Sequence, residues 1–346
     1  MRFIAFLAGV IAGIATLNGP AAARDRIWVV GSSTVQPFTK AVAESVARAA
    51  GTPDPVVENT GTTPGFWAFC GGVGPSHPDA TNATRRMKKS EFKACQENGV
   101  SEVVEIIIGL DILAVAQSTA GPAMTLTPTQ LFLAIAAQVP DKDGGLVANP
   151  YQSWSDIDSS LPNTSIDVRV LPPISGTRDA LQELFLQRGA ENIAELAELS
   201  SKEKLRLAKN LRTDGQFVVL HEDQNVIAHG LVANPNAIGI FGYRFLEENR
   251  AALRGIPIDG TDPTAEHAYS GKYKGTRKLY LYIKKAHLNI IPGLSMLPAE
   301  YVSRAALGPD GFLLALGFVP LSIVDMLDTM VRIHAMTPLR GDSLPD

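Results

Sequence analysis

Three short segments of the chain share one composition: GSSTVQPF at residues 31–38, NTGTTPGF at 59–66 and PISGTRDA at 173–180. Each offers hydroxyl side chains and at least one glycine, and each stands directly ahead of a helical pattern. The first amides of a helix lack partners within it, and the aligned peptide dipoles add partial positive charge there. Such a start suits a small anion. The candidate donors are Ser33, Thr34 and the Val35 amide in the first segment, Thr62 and Thr63 in the second, and Ser175, Gly176 and Thr177 in the third. Taken singly, each segment also reads as an ordinary helix cap.

Magnitudes set how many segments are needed. Micromolar binding requires about 8 kcal/mol, whereas a helix end supplies about 0.3–2 kcal/mol and a hydrogen bond to a charged group about 1.5–3 kcal/mol. One turn falls short, and several converging on one anion suffice. Arg178 lies within the third segment, two residues into the helix pattern, where a guanidinium adds a two-pronged contact suited to phosphate or sulfate. Two other roles stay open for it: a solvated surface arginine, or a partner of Asp179 or Glu183.

Other chemistry finds little support. Glu222 and Asp223 cluster in HEDQN at 221–225, which reads as a polar loop ahead of the next helix. The six histidines show no His-Glu-x-x-His pattern, and no nucleophile elbow, phosphate-binding P-loop or dinucleotide fingerprint occurs. No metal and no cofactor are expected, and Phe66, Trp67 and Phe69 read as core.

The elements that must position these turns follow α/β grammar. Residues 26–30 (RIWVV) read as a buried strand feeding the first turn and a helix from Gln36. Residues 55–61 read as a second strand, and residues 76–93 as loop plus helix start. Residues 103–109 and 112–118 read as two consecutive apolar strands. Thr127 caps a helix with Pro128 at its first position. The strand at 166–173 feeds the third turn, and an amphipathic helix runs from it to Gly189. Residues 234–243 read as a turn and short strand that passes between domains, residues 277–285 as an alternating strand, and residues 308–322 as a turn followed by a helix that stops at Gly317.

Residues 1–23 carry an early arginine, a short apolar run from Phe3 to Leu17 and Ala21, Ala22 and Ala23, the pattern of a secretory signal peptide cleaved before Arg24. The run is shorter than the ~20 residues a membrane-spanning helix needs. The exported remainder, roughly 320 residues, exceeds what one core usually serves, so two domains are expected. With 45% hydrophobic residues and a formal net charge of −4, the composition fits a globular protein with no nucleic-acid partner. Cys70 and Cys95, the only cysteines, point to a disulfide in an oxidising compartment rather than to zinc.

Together, GSSTVQPF, GTTPGF, PDATNATRRMKKSE (78–91), SGTRDALQEL and NPNAIGIFGYRFLEEN resemble, in order along most of the chain, the periplasmic phosphate-binding proteins of ABC transporters. The resemblance implies a type II periplasmic binding-protein fold, two α/β lobes joined by two crossings. It divides the chain into residues 24–110 with 240–346 as one lobe and residues 111–239 as the other. It implies that an oxyanion is held by Thr34 and Val35, with Ser33 beside them, by Thr62 and Thr63, and by Ser175, Gly176 and Thr177. It further implies a monomer, no enzyme, that delivers inorganic phosphate to a membrane permease. Sulfate or another tetrahedral oxyanion, and a secreted phosphate-ester hydrolase, are the rival readings.

Two positions depart from the family pattern. Arg85 stands where the family has an aspartate that accepts the proton of monohydrogen phosphate, and Leu171 stands where it has an arginine. With Arg85 as a site residue, sulfate, which has no proton to give, is expected to be rejected less strongly. Arg178 is then the main positive charge.

Overall fold

The computed structural model describes residues 24–172, 176–219 and 224–345. The leader expected at 1–23, Ser175 and the HEDQN residues 221–223 lie outside that range. No described helix is long and apolar enough to cross a membrane.

The chain opens with β1 (Trp28–Gly31), α1 (Gln36–Ala50), β2 (Val56–Asn59), α2 (Thr62–Phe69), β3 (Ala80–Ala83), α3 (Lys89–Glu97) and β4 (Val103–Ser118). It continues through α4 (Pro128–Ile135), the hairpin β5 (Gln138–Pro140) and β6 (Leu146–Ala148), α5 (Trp154–Ile157), β7 (Val168–Val170) and α6 (Gly176–Leu181). The last strands are β8 (Phe217–Val219), β9 (Ile238–Gly242), β10 (Leu253–Gly255) and β11 (Thr276–Lys284). Nine strands form one sheet in the order β2-β1-β3-β11-β4-β9-β7-β8, with β10 also on β4.

The pairing explains two lobes on one sheet. β1 pairs parallel with β2 and β3, and β7 pairs parallel with β8 and β9. Between these blocks runs β4, whose first part pairs with β11 and whose second part pairs with β9 and β10, all antiparallel. One apolar cluster surrounds β1 and α1 and takes in Ile106, Leu281 and Phe318, and another surrounds α4 and β7 and takes in Ile112, Ile240 and Tyr273. The two strands expected at 103–109 and 112–118 are thus a single 16-residue strand. Gly109, which reads as a break, instead makes room for Phe318: a Cβ there would lie 2.3 Å from the ring.

Other expectations are corrected in the same way. The stretch at 76–93 contains β3, a buried central strand of Ala, Thr, Asn and Ala, held by β1 and β11 on either side rather than by its own propensity. The passage expected at 234–242 is β9, which stays with the second block. Tyr243, Ile256, Ala268 and Tyr273 also belong to that block's cluster, and the chain returns to the first block along β11, where Leu279 enters the other cluster. A boundary at 240 therefore does not coincide with the change of core. The helix expected to reach Gly189 is interrupted by a π-helical turn at Gln182–Leu186. Phe66 and Phe69 are core, but Trp67 is half-exposed.

Cys70 and Cys95 are joined by a disulfide that ties α2 to α3. Beside it lies a buried polar knot. Asp79 accepts from the Trp28 amide at 2.7 Å, from Arg24 at 2.5 Å and from His287 Nδ1 at 2.7 Å. His287 Nε2 accepts from the Gly74 amide at 2.9 Å, which leaves the ring proton on Nδ1 for Asp79. Lys284 is fully buried, donates to the Gly72 carbonyl at 2.5 Å and lies 5.0 Å from the Phe69 ring. Burial pulls its pKa down to about 8 from 10.5, with Asp79 opposing that shift and Arg24 adding to it.

A folded-state pKa below the unfolded one means that the unfolded chain binds more protons between the two values, so stability from this group rises as pH climbs from about 8 to 10.5 and is lost on the way down. Urea titrations are expected to show the wild type gaining about 2–3 kcal/mol relative to Lys284→Met across that window. A constant difference between the two proteins would rule out the titration.

Candidate functional site

The three polar turns leave the carboxyl ends of β1, β2 and β7, the edge where ligands sit in open parallel sheets. α4, α5 and the C-terminal helix Ile323–Ala335 begin on Thr127, Ser153 and Ser322, each of which accepts an amide hydrogen bond. By contrast, α1 and α2 begin on Val35 and Gly61 with no side-chain cap. Gly31 has φ 137°, and a Cβ there would meet the Asn82 carbonyl oxygen at 2.1 Å. A Cβ on Gly65 would lie 2.7 Å from Gly31 Cα. These glycines let the start of α2 press against the root of the first turn.

Ser33, Thr34 and Thr177 line one cavity of about 600 Å³ together with Asn59, Asp111 and Leu171. Val35 is fully buried in the cluster around α1, so only its backbone can serve a ligand. Thr62 and Thr63 do not line that cavity. Thr62 Oγ1 lies 3.3 Å from Thr84 Oγ1, and Thr63 Oγ1 accepts from Arg85 at 2.8 Å. Ser175 lies outside the described residues, and Gly176 is the first residue of α6.

Arg85 is engaged elsewhere. Its guanidinium grips buried Glu91 with two hydrogen bonds of 3.0 and 2.6 Å and lies 5.2 Å from the Phe66 ring. It stands beside the second turn as half of an ion pair rather than as an uncompensated cation. Neighbouring Arg86 is bound to Glu105 at 2.9 Å, and that hydrogen bond, with the carboxylate's Coulomb attraction, outweighs burial and leaves its pKa raised.

Arg178 is different. It is only 8% exposed, its guanidinium lies 4.7 Å over the Phe217 ring, and its Nε and Nη1 have no hydrogen-bond partner among the described residues. Burial lowers its pKa from 12.5, and nearby Asp179 only partly offsets that. Leaving donors of a buried cation unsatisfied is costly, and an anion would satisfy them.

Sequence reading missed Arg277. It sits on β11 with Leu279, Leu281 and Ile283, the buried face of an alternating strand, so an arginine in apolar register was the available signal. Its Nη2 donates to Thr34 Oγ1 at 3.1 Å, Nε to Asp111 at 2.9 Å, and Nη1 to Glu183 at 2.7 Å. Burial works against its charge, but Asp111 and Glu183 outweigh that and leave its pKa raised. One side chain therefore joins the first turn, the long strand β4 and the π-turn that follows α6. Ser33 Oγ also reaches Asp179 at 3.4 Å, a second contact between the first and third turns. Among the described residues, no three His, Cys, Asp or Glu side chains gather as a metal site needs.

Comparison with known proteins follows the same outline. A family model described as a PBP superfamily domain matches residues 18–304. The protein SphX of Synechococcus elongatus is 26% identical over 326 residues, covering 91% of this chain and 83% of its own. The phosphate-binding protein PstS of Staphylococcus epidermidis is 26% identical over 264 residues, covering 75% and 68%. The crystal structure of a possible phosphate binding protein from Planctomyces limnophilus superposes with a TM-score of 0.69 at 23% identity, covering 90% of this chain and 98% of that one. The expected two-lobed α/β fold is the fold found.

Proposed function

Since the chain belongs to the PBP superfamily, we propose that it is an exported binding protein that captures inorganic phosphate in the cleft between its lobes and hands it to an ABC import permease. The observation that carries this reading is Arg178, a buried guanidinium with two unsatisfied nitrogens at the start of the third turn's helix. Thr177, its neighbour in the chain, lines one cavity with Ser33 and Thr34, and α1 and α2 begin without side-chain caps. The staphylococcal PstS, a phosphate-binding protein, points to the same ligand class. Because the anion contacts both lobes, closure and affinity are one equilibrium, and the permease reads the closed form.

The weak sulfate rejection expected from Arg85 loses its premise, because Glu91 already holds that cation. Asp111 lines the cavity and Asp179 faces Ser33. Asp111 is already paired with Arg277, so Asp179 is the carboxylate placed to repel a fully ionised sulfate and to accept the proton of monohydrogen phosphate. Thermal unfolding of the exported chain should therefore shift upward with phosphate, and calorimetry in a large sulfate excess should return an unchanged phosphate affinity. Absence of any shift with phosphate would refute the binding reading. Loss of affinity in sulfate would refute the discrimination alone. Release of phosphate from an added monoester would replace binding with hydrolysis.

A further inference from the structure

Two carboxylates of the third turn's helix reach out of the second lobe. Asp179 lies on α6 and Glu183 four positions later, in the π-helical turn Gln182–Leu186, a spacing that sets both on one side. Asp179 takes the 3.4 Å contact from Ser33 Oγ, and Glu183 accepts from Arg277 Nη1 at 2.7 Å. Leu184, Phe185 and Leu186 anchor the π-turn in the core around α4 and β7. Single π-turns within helices are frequent at functional positions. Arg277 is placed to hold both lobes. It pairs in register with Asp111 where the sheet passes from one core to the other: Ile108 and Leu279 belong to the cluster around β1, and Ile112 and Tyr273 to the cluster around α4 and β7. From there its guanidinium meets Thr34 of the first turn and Glu183 of the second lobe. Glu183 does not line the cavity that Ser33, Thr34 and Thr177 share.

We propose that the Arg277–Glu183 ion pair is an interlobe clasp, so that Glu183 is a positioning residue that sets how long the anion stays without touching it. Bending of β4 and β11 swings the π-turn away from Thr34. Arg277, held to β4 by Asp111 at 2.9 Å, then follows one lobe and parts from the other. A contact made in the closed form and lost in the open one shifts that equilibrium by its own free energy. The Glu183 side chain is 45% exposed, so the pair carries a factor of about five, or about 1 kcal/mol. Opening precedes release, and the factor therefore falls on the release rate rather than on association. The identity of the anion rests on the phosphate reading above, whereas the clasp itself is a property of the ligand-free chain.

The test uses the full chain in two measurements. In small-angle X-ray scattering without ligand, Glu183→Leu should show a larger radius of gyration than the wild type, with Glu183→Gln, which keeps an acceptor but no charge, between them. Radiolabelled phosphate chased with an excess of unlabelled phosphate should leave Glu183→Leu about fivefold faster, while the association rate stays within about twofold of the wild type. Both variants should fold, because Arg277 keeps Asp111 and no buried charge is stranded. Unchanged scattering or an unchanged release rate would overturn the clasp. Slower association with fewer binding sites and normal release would also overturn it, as the mark of a side chain that only supports the fold. A wild type that takes up no phosphate would refute the binding reading, and the scattering comparison would still decide the clasp.

Discussion

Arg178→Met is expected to weaken phosphate binding at least ten-fold while making the ligand-free protein more stable. The two effects have one cause. The guanidinium is buried over Phe217 with Nε and Nη1 unsatisfied, so the ligand-free fold bears the cost of desolvating a cation that it does not pair. Methionine keeps the bulk against the ring and removes that cost, about 1–3 kcal/mol. In the complex, the same nitrogens supply one or two charge-assisted bonds of about 1.5–3 kcal/mol each, and every 1.4 kcal/mol lost is a factor of ten. Calorimetric titration beside urea unfolding of ligand-free protein measures both. Unchanged affinity would remove Arg178 from the site, whereas lower ligand-free stability would mean that the guanidinium is paired in solution. Arg178→Lys should not restore binding, since an ammonium cannot present the same fork.

Arg277→Met is expected to cost about 3–5 kcal/mol of folding stability, nearer the lower figure because Glu183 is half-exposed and can rehydrate. Breaking a buried ion pair from one side leaves the other charge uncompensated, and Asp111 is the group so stranded, with its side chain only 17% exposed. The loss should be largely recovered in Arg277→Met with Asp111→Leu, because replacing both members of a buried pair with apolar groups is often neutral. Urea midpoints of the two single variants and the double variant give the coupling directly. A double variant no better than Arg277→Met would show that the arginine contributes by packing or through other contacts. Phosphate affinity should stay low even in the stabilised double variant, because Thr34 Oγ1 has then lost the donor that positions it.

The local chemistry of this protein was legible without coordinates. Gly61 at the start of α2 and Pro128 after Thr127 are local signals, and each acts within a few residues of itself. The cysteine pair was equally readable, because two thiols in a chain whose first residues read as a secretory leader leave few choices. By itself the sequence determined an α/β chain in which three strands run into anion-suited helix starts.

What the tertiary structure alone decided is long-range pairing. β3 is a strand because β1 and β11 supply hydrogen bonds on both sides, which Ala-Thr-Asn-Ala does not announce. Residues 103–118 form one strand because β11 takes its first part and β9 its second, and Gly109 opens a space for a ring more than 200 positions away. Charge was the least legible property of all. Arg85, Arg178 and Arg277 are the same residue type, yet Glu91 neutralises the first, nothing described satisfies two nitrogens of the second, and Asp111, Glu183 and Thr34 fix the third. A guanidinium's role depends on which carboxylates lie within about 4 Å and how much water remains, and only the folded chain sets those distances.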